Sequence, residues 1–252
     1  MSIAEKYTTL TEKIPDVYEA GKTAQRKEHW RTFIASRTQD DGYVGGSHMF
    51  SYDHPDNFYP TEDIKPSTVS NMFLQFGMYN GDKVKPISLK QRLEECGVKL
   101  DLSNQTGVNS YMFNNTCFTE LPEIAFTNYG STSKLNYTFD ASKYLERIEK
   151  LKLKNGATEV SAFRNCTALT DMVLEVVNDG KIKGSWDFHY SPLDAESAKS
   201  IIKHLYNYSG TDEDLTYTLS MHDSTWTALN ESEAPPAGET WQQYVNSLGY
   251  NV

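Results

Sequence analysis

The 252-residue chain carries 34 acidic against 24 basic side chains, a formal charge of −10, and is 38% hydrophobic. That is enough material for one large domain or two small ones with a proper core, and the acidic excess argues against a phosphate-binding surface and so against a nucleic-acid partner. No apolar run approaches the roughly 18 residues of a membrane span, which excludes membrane insertion through a helix.

The start, MSIAEKYTTLTEKIP, lacks the basic region followed by an apolar stretch that marks a secretory signal, so synthesis and assembly in the cytoplasm are expected. The three cysteines, Cys96, Cys117 and Cys166, are isolated and form no C-x-x-C pair. They read as reduced, buried small hydrophobes.

From Ser2 to about Ser36 the pattern is helical. Ile3, Tyr7, Leu10, Ile14, Val17, Gly21 and Ala24 recur in alternating steps of four and three, the seam of a coiled coil. Ser2 and Glu5 fit a capping box, and Pro15 should kink or divide the helix. Two readings stay open: an amphipathic helix docked on its own domain, or a short oligomerisation or attachment stem using Ile3, Tyr7, Leu10, Ile14 and Val17. Residues 37–67 change to loop signals (DDG, GG, DHPDN, YP, KP). His48, Asp53, His54 and Asp56 fall there, but their spacing fits no ligand pattern and a solvated loop is the better reading.

Residues 68–102 read as a degenerate first repeat, with Met72, Phe73 and Phe76 as anchor and a short helix Leu89–Cys96 closed by Gly97. Leu100 and Leu102 alternate as a strand would. From Val108 to about Val176 the sequence repeats itself clearly. The aromatic anchors are Phe113, Phe139 and Phe163, 26 and then 24 residues apart. Each is followed by an apolar ladder: Phe118, Leu121, Ile124, Phe126; Leu145, Ile148, Leu151, Leu153; Leu169, Met172, Leu174, Val176. A period in the twenties implies units too small to enclose their own apolar face, which must stack on one another. Asn114 and Asn165 follow anchors where turns need residues tolerant of left-handed backbone.

Beyond the repeats, Ser191–Pro192 offers a helix start, with Asp194 as an alternative. Ala198, Ile201, Ile202, Leu205 and Tyr206 then give a helix ending near Tyr208. Leu215–Met221 alternates as a strand, Ser224–Asn230 reads as a helical turn, and Glu239–Leu248 puts Trp241, Tyr244, Val245 and Leu248 on one helix face.

The phrases MFNNTCFTEL, TFDASKYLERI and AFRNCTALTDMVL resemble the BspA-type leucine-rich repeat. Cys166 stands at that family's Cys position, Ser142 replaces it in the middle unit, and Cys117 is displaced by one residue. The resemblance implies an α/β fold: a leucine-rich-repeat solenoid of short irregular units over 68–192, with an N-terminal helix over 1–36, a loop linker over 37–67 and a helix–strand–helix cap over 193–252. With the N-terminal helix, the loop ending in IKPSTVSNMF and the closing TWQQYVNSLGYNV, the chain also looks like minor structural proteins of tailed phages and prophages of Firmicutes.

That resemblance implies a virion component, a tail- or baseplate-associated adhesin. Its partners would be other virion proteins, or itself, through the N-terminal helix, and a host surface protein or glycan. A bacterial protein-interaction module is the alternative. No catalytic motif for nucleophile, phosphate or dinucleotide chemistry occurs, and no cofactor or metal is expected. A carbohydrate-active enzyme is a third alternative, with Trp186, His189 and Tyr190 lining a sugar site or serving the core. Between the ladder residues, Glu123, Ala125 and Thr127, then Lys150, Lys152 and Lys154, then Val173 and Glu175 should project outward in rows. They form either a solvated sheet or a recognition surface.

Overall fold

The computed structural model describes residues 21–22, 24–31, 49–78, 85–103, 105, 110–127, 134–209 and 217–252. Helix α1 includes residues 21–22 and 24–31. Strand β1 (Ile87–Ser88), helix α2 (Leu89–Cys96), strands β2 (Phe118–Phe126), β3 (Lys134–Asn136), β4 (Arg147–Leu153), β5 (Thr158–Val160), β6 (Asp171–Val176) and β7 (Trp186–Phe188) come next. Helix α3 (Ala195–Lys203), strand β8 (Tyr217–Met221), helices α4 (Asp223–Ser232) and α5 (Trp241–Ser247) and strand β9 (Tyr250–Asn251) complete the chain.

Among the described residues all strand pairing is parallel, in three separate sheets ordered β1-β2-β4-β6, β3-β5 and β7-β8-β9. This corrects the expectation of a leucine-rich-repeat solenoid with a terminal cap. The protein is a mixed α/β fold, and its connections are not uniform: α2 is inserted before β2, strand β5 with turns on either side lies between β4 and β6, and α3 follows β7. Nor is the C-terminal region a cap outside the sheets, because β8 pairs with β7 and β9 with β8. The reason lies at the β6 edge: Ser197 and Ser200 of α3 accept the Met172 and Leu174 N–H groups there, so the later segments pair among themselves instead of extending the first sheet.

The core runs through every sheet. Ring stacking is continuous from Trp30 to Phe50, Phe73, Phe113, Phe139, Phe163 and Phe188, with centroids 4.6 to 5.6 Å apart. That step is close to the roughly 4.8 Å spacing of hydrogen-bonded strands, and the backbone explains it. Phe73, Phe113 and Phe139 each donate an N–H to a carbonyl of the next turn, at Met112, Thr138 and Ala162 (2.7–2.9 Å). The residues two before and two after each anchor sit in left-handed backbone: Asn71 and Gln75, Tyr111 and Asn115, Tyr137 and Ala141, Ser161 and Asn165. Of the two asparagines assigned to such turns, Asn165 occupies one. Asn114 does not; its neighbour Asn115 does, and the Asn114 side chain donates to Asp140.

Three residues after each anchor stand Thr116, Ser142 and Cys166. Ser142 donates its hydroxyl to the Phe113 carbonyl, and Cys166 its thiol to the Phe139 carbonyl. Cys117 lies one position further, buried against Gly77. Gly77 has φ +75, and a Cβ there would overlap the Cys117 sulfur. We expect Gly77→Ala to cost about 2–4 kcal/mol, from left-handed strain plus overpacking. In urea melts, adding Cys117→Ala should recover part of that loss; full additivity of the two losses would refute the contact as its cause.

The N-terminal end of the described chain is anchored. Trp30 of α1 is buried against Phe50 and Phe58, and the Tyr59 ring lies between the guanidiniums of Arg26 and Arg92 at 4.1 and 4.0 Å. The segment read as a linker therefore contributes Phe50, Phe58 and Ile64 to the core. His54 caps a short 3₁₀ turn over Pro55–Asn57 by accepting from the Asp56 N–H. The proposed seam residues Ile3, Tyr7, Leu10, Ile14 and Val17, and His48, lie outside the described residues.

At the other end, Asp194 and not Ser191 caps α3, accepting from the Ser197 N–H at 2.7 Å. The helix stops at Lys203. Ser197 and Ser200 lie one turn apart on the face toward β6. Their hydroxyls accept the Met172 and Leu174 N–H groups at 2.8 and 3.0 Å. Side chains thus close an edge that would otherwise offer free main-chain donors.

Candidate functional site

The ladder residues of β2, β4 and β6 point into the core, so the residues between them form the outer face of the four-stranded sheet. Parallel register sets Glu120 beside Arg147, Glu123 beside Lys150, Arg147 beside Asp171 and Lys152 beside Glu175. The charges alternate across the strands and meet. Arg147 lies 3.8 Å from Glu120 and 3.2 Å from Asp171; Lys150 lies 3.7 Å from Glu123 and 3.3 Å from Glu175; Lys152 lies 2.9 Å from Glu175. Lys90 of α2 joins at 3.3 Å from Glu149 and 3.8 Å from Glu120.

Hydrogen bonding to Glu175 raises the Lys152 ammonium above its ordinary value, and the Lys152 bond lowers the Glu175 carboxyl in return. Lys90 is raised in the same way by its bond to Glu149. Exposed pairs of this kind contribute little stability each. Their effect is positional: long side chains that would otherwise wander are held in one pattern of alternating sign.

Of the residues expected to project outward, Glu123, Lys150, Lys152 and Glu175 come together in this network. Val173 projects at 44% exposure. Ala125 and Lys154 are half-buried, and Thr127 lies just beyond β2. The lysine row is not a bare cationic stripe, since Lys150 and Lys152 are each committed to acids. Sequence reasoning missed Lys90, Glu120, Arg147, Glu149 and Asp171. Their signal was present: acid and base exchange places at matching ladder offsets in TELPE, RIEK and DMVLE.

No family model, no curated protein and no solved structure matches the chain. Among the described residues no helix is long and apolar enough to cross a membrane. Trp186, His189 and Tyr190 do not form one surface: Trp186 is buried in β7, while His189 and Tyr190 are exposed and meet each other edge to face at 4.9 Å.

Next to the charged face lies a groove of about 830 Å³ between α2, residues 97–103 and the outer side of β2. Leu93, Val98, Leu100, Leu102, Pro122 and Ala125 supply its apolar surface. Around them stand five carboxylates (Asp63, Glu94, Asp101, Glu123, Glu149) against two lysines, Lys90 and Lys99. Asp63 is held below the usual carboxylate range by the Lys99 N–H and by Lys65, and Asp101 by the hydroxyl and N–H of Ser103. The groove is anionic at neutral pH.

One carboxyl behaves differently. Glu159 of β5 accepts from the Ala162 N–H at 2.7 Å and the Asp187 N–H at 3.0 Å, tying β5 to β7. Burial pushes it up to about 7 against those two donors. A carboxyl raised in the folded state stabilises fully below its unfolded value, near 4.5, and loses that contribution as pH rises to about 7. His204, buried and lowered chiefly by desolvation, has the opposite slope where pH falls below its ordinary value of 6.5. The difference between wild type and Glu159→Gln isolates the first effect. We expect the stability gap between them to shrink by about 1–3 kcal/mol from pH 4.5 to 7, measured by urea melts; a gap independent of pH would show that Glu159 does not titrate there.

Proposed function

We propose that this chain is a non-catalytic recognition component of a phage or prophage particle, tail- or baseplate-associated, that binds the host surface through the outer face of its four-stranded sheet. The observation that carries this reading is the ion-pair network of Lys90, Arg147, Lys150 and Lys152 with Glu120, Glu123, Glu149, Asp171 and Glu175. A rigid parallel sheet presents these charges in fixed register, which suits recognition of a surface with complementary pattern. The sequence resemblance to minor structural proteins of tailed phages supports the particle, and the N-terminal helix over residues 1–36, through Ile3, Tyr7, Leu10, Ile14 and Val17, is the proposed point of attachment. A second reading, a protein-interaction module with no particle, is favoured by the groove beside α2, whose form suits a polypeptide.

Density-gradient banding of particles from an induced producing culture, with mass spectrometry of the bands, separates the two. Under the first reading the protein bands with capsid and tail proteins, and Lys150→Glu with Lys152→Glu lowers adsorption of particles to cells. Recovery only in the soluble lysate would eliminate the particle reading.

A further inference from the structure

We infer that the groove between α2 and β2 takes an extended, lysine- or arginine-bearing segment of a partner protein, added as a strand along residues 98–102. The inference rests on the reading of this chain as a binding component, and not on its residence in a particle.

Main-chain geometry supplies the first argument. The segment around Leu100 is extended and paired on one side: the Ile64 N–H donates to the Lys99 carbonyl at 2.8 Å, and the Asp101 N–H donates to the Ile64 carbonyl at 2.9 Å. In such a parallel bridge Leu100 turns its own N–H and carbonyl to the opposite side. Among the described residues neither group has a hydrogen-bond partner. An extended edge with open donor and acceptor, bordering a cleft, is what strand addition uses. A glycan would meet the same apolar walls but has no repeat that matches a main-chain ladder.

Charge supplies the second. The five carboxylates exceed the two lysines; Glu149 is engaged by Lys90, Glu123 by Lys150 and Asp63 by Lys65, whereas Glu94 and Asp101 form no ion pair among the described residues. Glu94 is exposed on the α2 wall and Glu123 on the β2 wall, on opposite sides of the cleft. With a chain charge of −10, a second copy of this protein is disfavoured as occupant. Alternating side chains of an added strand would set cations toward these acids and apolar groups toward Leu93, Val98 and Pro122.

The test uses the full chain and a labelled eight-residue peptide of alternating lysine and valine, with fluorescence anisotropy as readout. Binding is expected, with loss of at least about ten-fold when alternate peptide nitrogens are methylated, because the added strand then lacks its donors. Glu94→Lys with Glu123→Lys should weaken binding by a similar factor, whereas the charge-matched Glu231→Lys with Glu239→Lys should leave it unchanged. A glutamate–valine peptide should not bind. Equal loss in both double variants, indifference to N-methylation, or equal competition by spermine would overturn the proposal in favour of diffuse attraction. Preferential capture of an amine-bearing glycan would overturn it in favour of a sugar ligand. None of these outcomes bears on whether the protein bands with particles, so the two proposals fail separately.

Discussion

A Phe139→Ala chain should lose about 3–5 kcal/mol of stability, the largest effect expected of any single truncation here. Phe139 is fully buried and central in the ring stack, 5.6 Å and 2° from Phe113 and 5.2 Å and 19° from Phe163. Removing it deletes the transfer energy of one ring and leaves two faces without contact. The turn cannot collapse to fill the space, because Phe139 and Ala141 donate main-chain N–H groups to Ala162 and Arg164 and hold the spacing near that of paired strands. Urea unfolding monitored by tryptophan fluorescence measures the loss. Phe139→Leu should cost clearly less than Phe139→Ala, since it restores most of the volume without the stacking. A loss below about 1 kcal/mol for the alanine variant would mean that the stack is not a continuous core element.

Opening the β6 edge is the second large effect. The Ser197→Ala/Ser200→Ala double variant strands the N–H groups of Met172 and Leu174, whose acceptors are the two serine hydroxyls. Each buried donor left without a partner costs about 1–3 kcal/mol, so about 2–6 kcal/mol is expected for both. Single Ser→Thr changes keep a hydroxyl and should recover much of it. The exposed edge also gains a pairing template, so light scattering should show concentration-dependent association of the double variant and not of wild type. Stability and association within error of wild type would show that α3 covers the edge by packing alone. That alternative has a concrete basis, because Ala198, Ile201 and Ile202 are buried on the same helix.

Both effects rest on features that differ in how openly the sequence displays them. The anchors Phe113, Phe139 and Phe163 were legible because their spacing is regular and each precedes a ladder of apolar residues, all of them buried. Helix α2 was legible through its amphipathic run and Gly97, which takes φ +68 at the C-cap. The Ser197–Ser200 pair was not, because a serine in a helix looks the same whether it faces water or a strand edge. The choice of Asp194 over Ser191 as cap was equally hidden: the Ser191 hydroxyl donates instead to the Cys166 carbonyl, 25 residues away.

The candidate site shows the same division. Which residues of β2, β4 and β6 face outward is set by the positions of their apolar neighbours, so Glu123, Lys150, Lys152 and Glu175 were placed from sequence alone. Their partners depend on register between strands roughly 25 residues apart, which only the folded sheet decides. The groove was invisible because its walls come from α2, residues 97–103 and β2, and its open edge depends on Leu100 pairing, among the described residues, with Ile64 on one side only.

The sequence by itself determined the local period: an aromatic residue at each turn, apolar residues pointing inward along each strand, and charge on the residues between. Burial demands that pattern of any chain that stacks short units, and it is readable one segment at a time. How the segments combine, as three separate parallel sheets with helices inserted unevenly and a C-terminal region that pairs into the last sheet, was decided only in the tertiary structure. Long-range hydrogen bonding decides it, through the register between strands and through α3 closing the β6 edge.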